Sequence, residues 1–400
     1  MHQTVTIKAV GNRGDGVAAG PLFVPYTLPG ESVEIESVGE RARLLSVIAP
    51  SPERIEPFCG LFGQCGGCAI QHWSEAGYRA WKRGLVVEAL EAAGIDAVVE
   101  ELVDAHGEGR RRATLHARKG KLGFAEARSH EIIALENCPI LVPALNAVLP
   151  AIAMIERALR GLKKPIDFVL TAGLSGVDCD IRGAGKIEES LRHKLAAFAG
   201  DHDFARLSVH GDVVVERRPP QVVFAGRAVT PPPGAFLQAT QAADEILAAL
   251  VLEGVAGAKR IADLFCGCGT LSLPLAQGAH VHAYDSDKAA VAALERGTHV
   301  PGLKPVVAQM RDLFHRPLLA EELKGFDALV FDPPRAGAAA QAKRLAASKI
   351  RRIVAVSCNP ATFAVDATLL LAGGYRLTRL TPVDQFRHSA HVEIVALFER

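Results

Sequence analysis

The stretch DLFCGCGTLSLPLA, residues 263–276, decides the fold. Its first three residues read as the end of a buried strand, with Phe265 last. Gly267 and Gly269 then form a tight turn with no side chain in the way, and a helix is expected to open near Thr270. A ligand can approach such a backbone closely. The third glycine of a pyrophosphate-binding turn is absent, because Leu271 and Ser272 follow. The turn therefore suits a cofactor with an adenosine and no pyrophosphate, and S-adenosylmethionine fits. Asp285, sixteen positions after Gly269, closes the next apolar run and can accept both ribose hydroxyl hydrogens.

Working outward, RIADLF (260–265), HVHAYD (280–285), FDALVFD (326–332) and IRRIVAVS (350–357) are apolar runs. Helical stretches such as Asp287–Arg296 and Ala338–Ala347 lie between them. Strand, turn and helix in alternation predict a doubly wound α/β sheet from about residue 231 to 400. Its ligands should sit beyond the carboxyl ends of the strands.

Three more motifs fall at such ends. In FDPPRAG, two prolines stiffen the turn that aims Asp332 into the crevice. A DPP turn of this kind also serves amino-group methylation, where an aromatic residue follows to stack on the base; here that position is Arg335. In VSCNPATF, Cys358 stands between a core strand and a helix N-terminus. The helix dipole is expected to lower its thiol pKa, making it a nucleophile. In DQFRHSAHVEIVALF, Asp384, His388, His391 and Glu393 are acid–base candidates. Glu393 sits within an apolar strand, where a carboxylate is costly without a partner or a function. The two histidines read as structural or RNA-facing.

Upstream, the PPP run at 231–233 marks a boundary, and residues 56–230 mix helix and strand patterns. WKRGLVVEALEAAGI predicts a helix ending at Gly94. Leu115–Phe124 and Phe168–Ile181 predict strands. Residues 1–55 hold short runs punctuated by Gly and Pro, as in a small β-barrel. Val33-Ile35 and Leu44-Ser46-Ile48 supply the alternation. Cys59, Cys65 and Cys68 are spaced C-x5-C-x2-C, and Cys138 can complete four ligands. Four thiolates could hold an iron–sulfur cluster or zinc, with His72 replacing Cys138 in a zinc version.

Hydrophobic residues at 49% and charged residues at 22% over 400 positions exclude disorder and collagen-like folds. A net charge of +1 leaves no global basic field, so a nucleic-acid partner needs a local patch. One candidate runs from Arg110 to Arg128, with seven Lys or Arg against Glu126 alone. The N-terminus carries no signal-peptide pattern. The apolar stretch Ala144–Ile155 is too short to span a bilayer. A reduced, cytoplasmic protein without membrane attachment is expected, and no obligate protein partner.

In order along the chain, VGNRGDGVA, CGLFGQCGGCAIQ, GAFLQ, DLFCGCGT, FDPPRAG, SCNPATF and HVE resemble the RNA uracil-5-methyltransferase family. The resemblance covers nearly the whole chain. It implies an RNA-binding TRAM domain of OB type at 1–55 and a 4Fe–4S site on Cys59, Cys65, Cys68 and Cys138, in preference to zinc. It implies a Rossmann-like methyltransferase domain at 231–400. Gln238, Phe265, Thr270, Asp285, Asp312 and Asp332 match cofactor-binding positions, Cys358 the nucleophile and Glu393 the general base. The implied reaction is S-adenosylmethionine-dependent methylation of uridine carbon 5. The implied substrate is 23S ribosomal RNA, since bacterial tRNA relatives generally lack the N-terminal barrel and cluster. The same chemistry on tRNA and a non-catalytic iron–sulfur RNA-binding protein are the alternatives. Thr240, Thr270 and Asp285 stand where relatives often carry Asn, Asn and Glu.

Overall fold

The computed structural model describes residues 1–20, 22–162 and 164–400. The four apolar runs of the C-terminal half form strands Arg260–Leu264, His280–Asp285, Ala328–Phe331 and Arg352–Ser357. An eight-stranded sheet runs in the order Val306–Met310, His280–Asp285, Arg260–Leu264, Ala328–Phe331, Arg352–Ser357, Glu393–Glu399, Arg376–Asp384, Val103–Asp104. The first five are mutually parallel, while Glu393–Glu399 runs antiparallel to both its neighbours. Strand order reverses between Arg260–Leu264 and Ala328–Phe331, which opens a crevice at their carboxyl ends.

Successive strand residues point to opposite faces. Leu264, Phe331, Ile353 and Ala355 join one core, and Ile261, Val330, Val354 and Val356 the other. Burial on both faces is why these strands read as continuous apolar runs. Helices Ala339–Ala346 and Pro360–Ala372 contribute to the first core, Gln241–Gly254 and Lys288–Thr298 to the second.

The first core also takes helix Glu75–Ala92, from the stretch assigned by sequence to the middle of the chain. Ser74 caps it by accepting from Gly77 N at 3.2 Å. Gly94 ends it in the left-handed region at φ +69. Its buried face, Tyr78, Trp81, Lys82, Leu85, Val86 and Leu90, has the spacing of an amphipathic helix, with one lysine among the apolar residues. Val103–Asp104 then pairs with the edge of the C-terminal sheet. Local periodicity establishes a helix but does not say which sheet it covers.

The middle of the chain forms its own seven-stranded sheet. Leu115–Phe124 is not one strand: Lys119 and Gly120, both at positive φ, turn the chain between Arg112–Arg118 and Lys121–Ala125. Phe168–Ile181 is likewise two strands, Ile166–Gly173 and Gly176–Arg182. Helices Leu149–Leu159 and Glu189–Asp201 share its core.

Six strands of residues 2–49 form a third sheet. Val33 and Ile35 are buried as expected, but Ile48 is exposed. Register shifts against Ser32–Val38 break the alternation along Arg41–Ala49, so Ala42, Leu44 and Val47 face the core instead.

Candidate active site

The glycine turn after Arg260–Leu264 lies where the sequence placed it. Phe265 adopts φ +63, a strained value for a side chain of that size. Its ring sits 5.6 Å from that of Phe314. The two glycines serve different ends. A Cβ on Gly267 would meet open space, so this position leaves the crevice clear. One on Gly269 would come within 2.6 Å of Leu294, so Gly269 lets helix Lys288–Thr298 pack. The helix after the turn is Ser272–Leu275, opening two residues later than expected. Thr270 precedes it, half-buried.

Asp285 faces the turn: its carboxylate accepts from Gly267 N at 2.9 Å and Asp287 N at 2.8 Å. Asp312 lies beyond strand Val306–Met310, where its carboxylate accepts from Phe314 N at 3.0 Å and pairs with His315 Nδ1 at 2.8 Å. The His315 ring, then the His315 backbone N–H, lower the Asp312 carboxyl. Asp263 is buried and accepts from the Ser272 hydroxyl, and burial pushes it up to about 7.

Sheet register brings together three residues that are far apart in sequence. Ser357 pairs with Ile394 on antiparallel strands. Cys358 and Glu393 adjoin this last pair, and the charge of Glu393 reaches the Cys358 thiol. Asp332 follows Phe331 on the next strand over, which pairs with Ala355. Glu393 is 3% exposed, and its Oε1 accepts from Gln385 Nε2 at 2.9 Å. Asp332 Oδ2 accepts from Gln238 Nε2 at 3.3 Å. Burial raises both carboxyls, and the charge of Asp332 raises Glu393 further.

The thiol of Cys358 differs from expectation. The following helix, Pro360–Ala372, is capped by Asn359, which accepts from Ala361 N at 3.1 Å. Its dipole does not dominate: burial, then the charges of Glu393 and Asp332, push Cys358 up to about 12. Arg335 opposes the shift. Its backbone oxygen accepts from Asn359 Nδ2 and Thr362 Oγ1, each at 3.2 Å, fastening the FDPPRAG turn to the cysteine's loop.

The departure at Thr240 has a structural reason. Its hydroxyl accepts from Ala243 N at 3.0 Å as the cap of helix Gln241–Gly254 and donates to Ala105 O at 2.6 Å. Threonine performs the capping that asparagine would. The His388 ring pairs with Ile70 O at 2.9 Å, and burial lowers its pKa to about 4. His391 sits beside Arg335 at 3.2 Å.

The arginine run divides. Arg111 is buried and paired with Asp244, which removes it from any RNA contact. Arg112 lies over the ring of Phe236 and Arg110 over that of Phe386. Phe236, 70% exposed, projects two residues before Gln238.

Cys59, Cys65, Cys68 and Cys138 all line one cavity of about 130 Å³, with Arg110 and Phe124. Burial raises the thiols of Cys65, Cys68 and Cys138. His72 lies outside that lining. Among the described residues, no three His, Cys, Asp or Glu side chains form a group suited to a metal ion.

Sequence reasoning passed over Gln385 and Lys82. Gln385 is fully buried and touches both Gln238 and Glu393. Lys82 bonds Asp384 and Phe386 on either side of it. A lysine on an otherwise apolar helix face was the available signal.

A family model described as tRNA (Uracil-5-)-methyltransferase matches residues 309–400. An uncharacterized RNA methyltransferase of Brucella suis biovar 1 is 48% identical over 99% of this chain and 97% of its own. The 23S rRNA (uracil(1939)-C(5))-methyltransferase RlmD of Vibrio campbellii is 32% identical over 100% of this chain and 96% of its own. Among solved structures, the Pyrococcus abyssi tRNA (uracil-54, C5)-methyltransferase in complex with S-adenosyl-L-homocysteine matches with a TM-score of 0.78 and 25% identity. The match covers 99% of each chain.

Proposed function

The chain belongs to the S-adenosylmethionine-dependent RNA uracil-5-methyltransferases, and we propose that it methylates carbon 5 of one uridine in 23S ribosomal RNA through a covalent Cys358 adduct. The observation that carries this reading is that Cys358 and Glu393 adjoin the paired Ser357 and Ile394, with the charges of Glu393 and Asp332 both reaching the Cys358 thiol.

Carbon 5 of uracil is a poor nucleophile. Addition of the Cys358 sulfur to carbon 6 forms an enolate and makes carbon 5 electron-rich. Bound S-adenosylmethionine supplies the electrophilic methyl group. Glu393 then removes the carbon-5 proton, the ring double bond re-forms and the Cys358 sulfur leaves. Burial, then the charges of Glu393 and Asp332, raise the Cys358 thiol, so its proton must leave before sulfur adds, and Arg335 is the group that favours the thiolate. Gln238, Phe265, Thr270, Asp285, Asp312 and Asp332 line the cofactor side. A paired uridine must be flipped out to reach Cys358, at a cost of a few kcal/mol. Phe236 and Arg112, at the rim, are suited to hold neighbouring nucleotides.

In this reading the N-terminal six-stranded sheet is a TRAM-like RNA-binding unit. Cys59, Cys65, Cys68 and Cys138 hold a 4Fe–4S cluster, which spreads its four thiolates more widely than one tetrahedral ion does. Such a cluster would tie the Cys59–Cys68 loop to the segment around Cys138. The enzyme acts in the cytoplasm, where its RNA is.

Support for ribosomal RNA comes from the 32% identical relative that matches along the whole chain. The whole-length likeness to a tRNA enzyme favours tRNA as the second reading. It also removes N-terminal architecture as a criterion. Methyl transfer to a 23S ribosomal RNA fragment and to tRNA transcripts, followed by nucleoside mapping, separates the two. Ribosomal RNA is expected to be preferred by about tenfold or more; preferential modification of tRNA would overturn the assignment.

A further inference from the structure

We propose that Gln385 is the positioning residue of the elimination step, holding the Glu393 base and the Gln238 cofactor residue in one fixed arrangement. This inference rests on the assignment of Glu393 as base.

The amide of Gln385 uses both its donors and one acceptor site. Its Oε1 accepts from Ala239 N at 2.7 Å. A backbone N–H can only donate, so the oxygen must face Ala239 and the NH2 group must face the other way. That group donates to Gln238 Oε1 at 2.6 Å and to Glu393 Oε1 at 2.9 Å. Gln238 in turn donates to Asp332 Oδ2 at 3.3 Å. Two amides thus bridge the buried Glu393 carboxyl and the half-buried Asp332 carboxyl, each receiving one donor. The chain Glu393–Gln385–Gln238–Asp332 crosses the crevice from base to cofactor turn.

The bridge is clamped from behind. Lys82 is fully buried, donates to the Asp384 carboxylate, and donates to Phe386 O at 2.9 Å. Tyr78 OH donates to Asp384 Oδ2 at 2.5 Å. Residues on both sides of Gln385 are therefore held by one side of helix Glu75–Ala92. Asp384 compensates the lysine's buried charge. The helix thereby fixes the segment that carries Gln385, and the charge of its Lys82 also lowers the Glu393 carboxyl.

The test follows the covalent adduct in single-turnover reactions of the full-length enzyme with RNA and S-adenosylmethionine. Gln385→Met and Gln385→Glu are compared with wild type and Glu393→Gln. Both Gln385 variants are expected to form the adduct but resolve it about 10- to 100-fold more slowly, since misplacement by a fraction of an ångström suffices. The groups facing Glu393 are Asp332, Cys358 and Lys82. With Asp332 beside it and the Gln385 donor gone, the Glu393 carboxylate ionises less readily. The rise of resolution rate with pH should move to higher pH. Wild-type resolution with an unchanged pH profile in both variants would overturn the proposal. Should Gln385→Met fail to fold, Gln385→Glu keeps the side chain's size and its acceptor for Ala239. If Glu393→Gln itself fails to accumulate adduct, the base assignment falls; if it accumulates and the Gln385 variants do not, only this inference falls.

Discussion

Replacing Cys358 by alanine is expected to lower methylation by on the order of 10⁴-fold or more, as loss of a nucleophile does in other covalent mechanisms. Cofactor binding should survive. The cysteine follows strand Arg352–Ser357, two strands removed from Arg260–Leu264 and its glycine turn. Equilibrium binding of S-adenosylmethionine or its demethylated product, measured on the variant, should match wild type. The substitution removes one sulfur from a half-buried position, so melting temperature should change little. Residual turnover near the wild-type rate would exclude the covalent route, because no other cysteine has its thiol at this point of the sheet. Cys266 and Cys268, the nearest in the glycine turn, are buried.

Glu393→Gln should produce the opposite phenotype: chemistry that begins and does not finish. Glutamine keeps the shape and an acceptor for Gln385 but cannot take the carbon-5 proton. RNA and protein should accumulate as a denaturation-resistant complex, only when S-adenosylmethionine is present, with the methyl group already on the base. The wild-type pH dependence has the same origin. Burial and the adjacent Asp332 keep Glu393 protonated above the ordinary carboxylate range. A base must be ionised, so turnover should climb with pH through a region where exposed carboxylates no longer titrate. Ordinary turnover by Glu393→Gln would refute its role.

Much of this site was legible in the sequence because its residues lie at strand ends, and those strands are apolar runs of unmistakable length. Cys358, Asp332 and Asp285 each close such a run. Their neighbourhood, by contrast, depends on strand order: 357 pairs with 394 only after the chain has folded back through Arg376–Asp384. The charge environment was misjudged for that reason. A helix N-terminus is visible in SCNP, while the burial of the thiol and the two carboxyls arriving from other strands, which together raise it, are not. Helix Glu75–Ala92 is a similar case. Its periodicity was readable, but its place on the C-terminal core rests on long-range contacts such as that of Lys82, whose partner Asp384 lies 302 residues away. The hairpins hidden in Leu115–Phe124 and Phe168–Ile181 were missed where the turn was short and the flanking runs merged. The arginine run shows the limit of counting charge, since Arg111 spends its charge on Asp244 rather than on RNA.

The most direct test of the central claim is tritium release from ribosomal RNA labelled at uridine carbon 5, with and without S-adenosylmethionine. Substitution at carbon 5 predicts release that depends on the cofactor and matches methyl incorporation one for one. Methyl incorporation without tritium release would place the methyl group on another atom and contradict the account.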